Sequence, residues 1–264
     1  PDMPVRDAVR EYTRLFFGAN VAEQAADGIL ALEKNWEGPI GENGGIDATL
    51  ALWESLDGKT PELRGNWRWQ MYQLRAAYDA YQRHRSMYEA ELEDEAYAAI
   101  LRHNDDPAVA MDEAALIMNR AVSAPIRADL RKRIDDLCEA LFKSIQLQTS
   151  VEKYMASGTE RGAVLDMVDR PLNNRWWLED EFEKVRELPT KEAQLARLKE
   201  IATWEDPEGC VFYDQVGNVS GSQHVLRGET TDTDPSHLRA MNPDHVWKDN
   251  GLCRHRISWM TYLD

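Results

Sequence analysis

The run Asn173-Asn174-Arg175-Trp176-Trp177-Leu178-Glu179-Asp180-Glu181 places two adjacent indoles among amides, a guanidinium and carboxylates. Sugar sites are assembled from these residue types. An aromatic face takes the apolar side of the ring, and amides, arginine and acids hydrogen-bond the hydroxyls. Asn173, Asn174, Arg175, Trp176 and Trp177 are therefore the candidate carbohydrate contacts. The same run also reads as architecture, and that reading outweighs the first. Asn173 or Asn174 caps a helix, Glu179 to Glu181 favour the positive end of its dipole, and one Trp enters the core.

A second group lies in the C-terminal stretch, where Asp232, Asp234, His237 and His245 form a weak candidate metal set. The alternating acids resemble part of a calcium loop, but its Gly and closing Glu are missing. Ser220-Gly221-Ser222 with His224 is the nearest approach to a nucleophile-base pair, and it lacks the Gly-x-Ser-x-Gly elbow. Gly41-Glu42-Asn43-Gly44-Gly45 has no Lys-Ser/Thr to hold a phosphate and reads as a turn. Asn218-Val219-Ser220 matches a glycosylation sequon. Paired carboxylates abound in so acidic a chain, so no pair is singled out as catalytic. Cys138, Cys210 and Cys253 are odd in number and far apart, against a disulfide framework or a paired-CxxC zinc site. Cys138 belongs to an apolar helical pattern and reads as a core residue. No catalytic residue and no cofactor is assigned.

The elements that position these groups are helices. From Val5 to Trp204 apolar residues recur every three or four positions, the period of one helical face. A first helix through Val5, Val9, Tyr12, Leu15 and Phe16 stops at Gly18. A second carries Val21, Ile29, Leu32 and Trp36 up to Gly38-Pro39. A short third covers Asp47 to Leu56, ended by Asp57-Gly58. Trp67, Met71, Leu74, Tyr78, Tyr81, Arg85, Tyr88 and Leu92 keep a four-three spacing without Gly or Pro, which predicts one long helix from Leu63 to Arg102. Asp106-Pro107 supplies a cap and first residue for a shorter helix. A second long helix is expected from Pro125 to Gly158 through Ile126, Leu130, Ile134, Leu137, Leu141 and Ile145. Thr159 to Val168, Trp177 to Glu187 and Thr190 to Trp204 follow as shorter helices. Trp67 and Trp69 read as core or helix-end packing, and His84 and His103 as solvated residues on polar faces.

The expected fold is therefore mainly α, an antiparallel helical bundle with two long helices over residues 1–204. Residues 205–264, rich in Gly and Pro, read as an irregular tail with short strands at Cys210 to Tyr213 and Ile257 to Tyr262. At 264 residues, 43% of them hydrophobic, the chain has enough apolar surface for a core. A net charge of −16 repels phosphate backbones and anionic headgroups, so neither nucleic acid nor membrane is expected as a partner. No run of about 18 apolar residues is present to span a bilayer.

Four runs together carry a family resemblance. Arg10-Glu11-Tyr12-Thr13-Arg14-Leu15-Phe16-Phe17-Gly18, Leu30-Ala31-Leu32-Glu33-Lys34-Asn35-Trp36-Glu37-Gly38-Pro39, Leu172-Asn173-Asn174-Arg175-Trp176-Trp177-Leu178 and Trp204-Glu205-Asp206-Pro207 are the runs concerned. They resemble the helical region downstream of the barrel in large bacterial proteins similar to TIM-barrel glycoside hydrolases. The resemblance implies a catalytic barrel before Pro1, a β-rich module after Asp264 and an extracytoplasmic setting. The catalytic acids would then lie outside this sequence, because a (β/α)₈ barrel needs eight strand-helix alternations that are not present here. The leading expectation is an accessory helical domain of a carbohydrate-active protein, with that barrel as its partner and carbohydrate as a further one. Two other readings stand beside it: a helical interaction or scaffold module, and a stand-alone enzyme with its site around His224, His237 and His245.

Overall fold

A computed structural model describes residues 3–37, 39–157 and 164–203. Among them are ten α-helices and no strand: α1 Val5–Phe17, α2 Ala22–Lys34, α3 Gly45–Lys59, α4 Trp67–Arg102, α5 Pro107–Ser123, α6 Ala128–Ile145, α7 Val151–Tyr154, α8 Val164–Met167, α9 Arg175–Arg186 and α10 Lys191–Thr203. The mainly α architecture is the expected one. No described helix is long and apolar enough to cross a membrane. The tail from residue 205, with the strands expected there, the Asp232, Asp234, His237 and His245 set and the Ser220-to-His224 group, lies outside the described residues.

Local chemistry sets most of the boundaries. α1 stops where Gly18 takes φ +97°, a left-handed conformation costly for a side-chain-bearing residue, while its N–H still reaches the Arg14 carbonyl. Asp106 caps α5 by accepting from the N–H groups of Ala108 and Val109, with Pro107 in the first turn. α3 runs through Asp57-Gly58 to Lys59, past its expected end. There Thr60 closes it, donating both its N–H and its hydroxyl to the Leu56 carbonyl. A 3₁₀ turn, Pro61–Gly65, precedes α4, and the Asn66 side chain accepts from the Arg68 N–H at its start.

The second long helix is shorter than the periodicity implies. α6 ends at Ile145 because Gln146 adopts φ +58°, with its N–H on the Phe142 carbonyl. Ser150 then caps the separate turn α7. Apolar spacing continues across the break, so periodicity alone could not locate it.

The described helices group into two compact units. Residues of Pro1–His84 with Arg127–Arg170 form the first, and those of Arg85–Ile126 with Pro171–Asp264 the second, so α4 contributes to both. The first unit has an aromatic centre. Trp53 stacks on Tyr72 at 5.2 Å and 13°, meets Trp69 edge-on at 5.2 Å, and Phe17 abuts Trp69 at 5.1 Å. Such pairs add about 0.5–1.5 kcal/mol each beyond the area they bury. Leu130, Ile134, Cys138 and Leu141 of α6 complete this core. α2 approaches Trp53 at Gly28, where a Cβ would come within 3.0 Å of the indole, and the indole N–H donates to the Gly28 carbonyl at 3.2 Å. The second unit buries mainly aliphatic and thioether side chains, with Tyr97, Trp177 and Phe182 among them: Leu92 and Ile100 from α4, Met111 and Met118 from α5, Leu178 from α9, Leu198 and Ile201 from α10.

Candidate functional site

In the second unit, α4 carries Arg85, Glu89 and Glu93 at four-residue spacing, which stacks them on one helical face. All three are buried. Buried carboxylates are tolerated only when hydrogen-bonded or paired, and these two are. Glu89 pairs with the Arg85 guanidinium through one oxygen and accepts the Leu172 N–H at 2.7 Å through the other. Glu93 accepts the Asn174 backbone N–H at 3.2 Å, the Asn174 side-chain amide at 2.8 Å and the Tyr97 hydroxyl at 2.8 Å.

The Asn173-to-Trp177 run meets these acids from the opposite side. Asn173 donates its amide to the Glu89 backbone carbonyl at 2.8 Å and accepts the Arg175 N–H at 3.2 Å, so it turns the chain into α9 while holding α4; Asn174 is the N-cap residue, and its side chain makes no capping bond. The Asn174 carbonyl receives the Leu178 N–H, which begins the helical ladder. Asn173 is 1% and Asn174 0% exposed, so no ligand in solvent reaches either amide. Trp177 is buried among the apolar residues of α4, α5 and α10. Arg175 and Trp176 are half-buried. Of the five candidate carbohydrate contacts, these two alone keep exposed surface.

The chemistry of this cluster is that of a latch. Both oxygens of each glutamate are occupied by donors, leaving neither placed to move a proton. Glu181, one turn further along α9, follows the same pattern between Lys184 at 2.8 Å and Arg197 at 2.5 Å. Burial works to raise its carboxyl, and the hydrogen bonds from Lys184 and Arg197 outweigh that and hold it below the usual carboxylate range.

No protein-family model matches this chain, and comparison with curated proteins and with solved structures returns no match.

The remaining sequence candidates are also engaged. Trp36 is exposed, and the Arg75 guanidinium lies over its ring at 4.0 Å. Arg75 is fixed in turn by buried Asp79, which also accepts from Asn35 at 2.9 Å. Burial pushes the Asp79 carboxyl up, against the pull of Arg75 and Asn35. Trp69 is fully buried, while Trp67 stays at the surface with the Arg68 guanidinium between its ring and Phe16. His84 and His103 are not simply solvated: His84 and Arg83 share Asp47, and His103 and Arg102 share Glu113. In each case an acid from α3 or α5 reaches a histidine on α4 or just past its end, a pairing no local pattern reveals. Cys138 is buried, and that burial pushes its thiol up, away from the nucleophilic thiolate. The Gly41-to-Gly45 segment turns as expected, with the Glu42 N–H on the Pro39 carbonyl. Among the described residues no group of three His, Cys, Asp or Glu side chains converges to hold a metal.

Sequence reasoning missed Glu89 and Glu93, because 47 acidic residues leave any single one unremarkable. One signal was available. Arg85 falls on the apolar stripe of α4, where a charge is tolerated only beside a buried partner.

Proposed function

We propose that this chain is an accessory helical domain of a larger, glycoside-hydrolase-like protein, supporting a catalytic barrel rather than performing hydrolysis itself. One observation carries the reading. One of the runs that carry the resemblance, the one that holds the sugar-type residues, is spent internally, with Asn173 and Asn174 locked onto Glu89 and Glu93 and Trp177 in the core. That is the use expected of a module whose sequence preserves its shape. Arg175 and Trp176, at the edge of the latch, are the residues this reading assigns to the rim of the barrel's cleft.

An interaction or scaffold module has less support. Exposed apolar side chains are spread over the surface, with Leu15 on α1, Val109, Leu116 and Val122 on α5 and Met155 just past α7, and scattered apolar residues at a surface are ordinary.

The test has two arms. Offered a panel of aryl glycosides, the chain alone shows no turnover, whereas robust hydrolysis would overturn the proposal. Mixed with the barrel of its parent, it raises the barrel's melting temperature, and no shift would equally overturn it.

A further inference from the structure

The first unit contains a cleft of about 420 Å³ between α3, the 3₁₀ turn before α4, the start of α4 and α6. Small-molecule sites run from about 300 to 1,000 Å³, so one small ligand fits. Its floor includes two amides one turn apart on α4, Gln70 and Gln73, which are 8% and 2% exposed. Gln73 is satisfied at both ends, donating to the Trp53 carbonyl at 2.9 Å and accepting from Arg133. Gln70 is satisfied at one end only. Its Nε2 donates to the Arg64 carbonyl at 2.8 Å, which fixes the orientation of the amide, and its Oε1 is buried without a hydrogen-bond partner. A buried acceptor left in that state costs about 1–3 kcal/mol, so the site gains from a ligand that brings a donor.

The charges around the cleft select the kind of donor. Glu54 pairs with Arg133 at 2.9 Å, Asp57 with Arg64 at 2.9 Å, and Asp136 with Lys132 at 2.6 Å. Asp57 also accepts the Trp69 indole N–H at 3.2 Å. An anion at the donors Arg133 has left over would meet the carboxylates of Glu54, Asp57 and Asp136, and a cation at those acids would meet Arg64 and Arg133. A neutral ligand with several hydroxyls breaks no pair. It supplies the hydrogen that Gln70 Oε1 lacks, meets the donors Arg133 has left over, and lays a C–H face on Leu137 and Ala140.

We propose that this cleft binds a single neutral, polyhydroxylated ligand the size of a sugar residue. The proposal goes beyond the accessory-domain reading and does not depend on it, since it concerns a site within this chain and not the rim of a barrel.

Trp69 in the cleft wall supplies the readout. Titrating the full chain with D-glucose, D-galactose, D-mannose and D-xylose, and with spermidine and inorganic phosphate as charged controls, reads binding through tryptophan fluorescence. The expected result is a saturable change with at least one of the four sugars, with neither control competing. Gln70→Met weakens that binding by about tenfold, the worth of one hydrogen bond of ~1.4 kcal/mol. Arg133→Met weakens it comparably, and is the arm that decides if the Gln70 variant does not fold. Trp176→Ala, in the other unit, leaves it unchanged, which separates this site from the proposed rim. No saturation up to roughly 10 mM would overturn the proposal, because a ligand held by about 4 kcal/mol saturates there. So would binding of spermidine or phosphate in place of sugar, or sugar binding indifferent to both cleft variants.

Discussion

The two units close their returning segments by different physics. In the first, α8 returns to α4 over an aromatic centre, tied by the Gln82 amide to the Val168 carbonyl at 2.9 Å and by the Tyr81 hydroxyl to Asp169 at 2.8 Å. In the second, the approach to α9 is held by two buried glutamates. Apolar packing degrades gradually, since neighbouring side chains partly fill a lost methylene. A buried ionic latch fails abruptly, because removing one partner strands the other without water. The contrast teaches that the acidic unit gains a fixed register for its most distinctive segment at the cost of brittleness.

The largest expected effect tests that brittleness. Glu89→Ala leaves Arg85 buried without its carboxylate and the Leu172 N–H without an acceptor, and should cost about 3–5 kcal/mol in urea denaturation. Leu130→Ala in the aromatic unit should cost about 2–5 kcal/mol, and the double change Arg85→Leu with Glu89→Leu should recover the part of the Glu89→Ala loss that comes from the stranded guanidinium, but not the part that comes from the Leu172 N–H. A loss below about 1 kcal/mol for Glu89→Ala would remove the distinction between the units.

Acid should then act on two carboxylates, Glu181 and Asp79, with opposite sign. Glu181 is held below the ordinary range, so its contribution is present at neutral pH and lost as pH falls through its folded value. Asp79 is pushed above the ordinary range, so the folded state binds its proton first and acidification through that window favours folding. Melting curves across the carboxylate range should therefore show Glu181→Gln flattening the acid loss and Asp79→Asn removing a small acid gain. Parallel curves for the two variants would show that neither carboxylate is linked to folding as its surroundings imply.

The smallest effect is local. Asp106→Ala removes the acceptor for two N–H groups of α5 and should lower stability by about 1 kcal/mol, read as a lower urea midpoint with unchanged slope. A change in slope would place the effect in the denatured ensemble instead.

What could be read from the chain alone follows the range of the forces involved. α4, the stop at Gly18 and the Asp106-Pro107 start were legible because period, positive φ and capping are written in adjacent residues. The end of α6 was not, since Gln146 is a fair helix former held in a left-handed conformation with no glycine or proline to announce it. At the latch, a helix start at Asn173-Asn174 was visible. The acceptor that Asn173 finds on Glu89 was not, because 84 residues separate the partners and a sequence rich in acids offers many equivalents. The Gln70 cleft was hidden for the same reason: amides on an otherwise amphipathic helix look solvated until another helix covers them.

Gly28 sits in mid-helix, where glycine costs about 1 kcal/mol relative to alanine, and what it secures is the indole of Trp53 against the backbone of α2. Positions 28 and 53 are therefore one volume shared between two helices. A side chain acquired at 28 obliges the indole at 53 to give by a few tenths of an ångström, so what either position can become is set by the other.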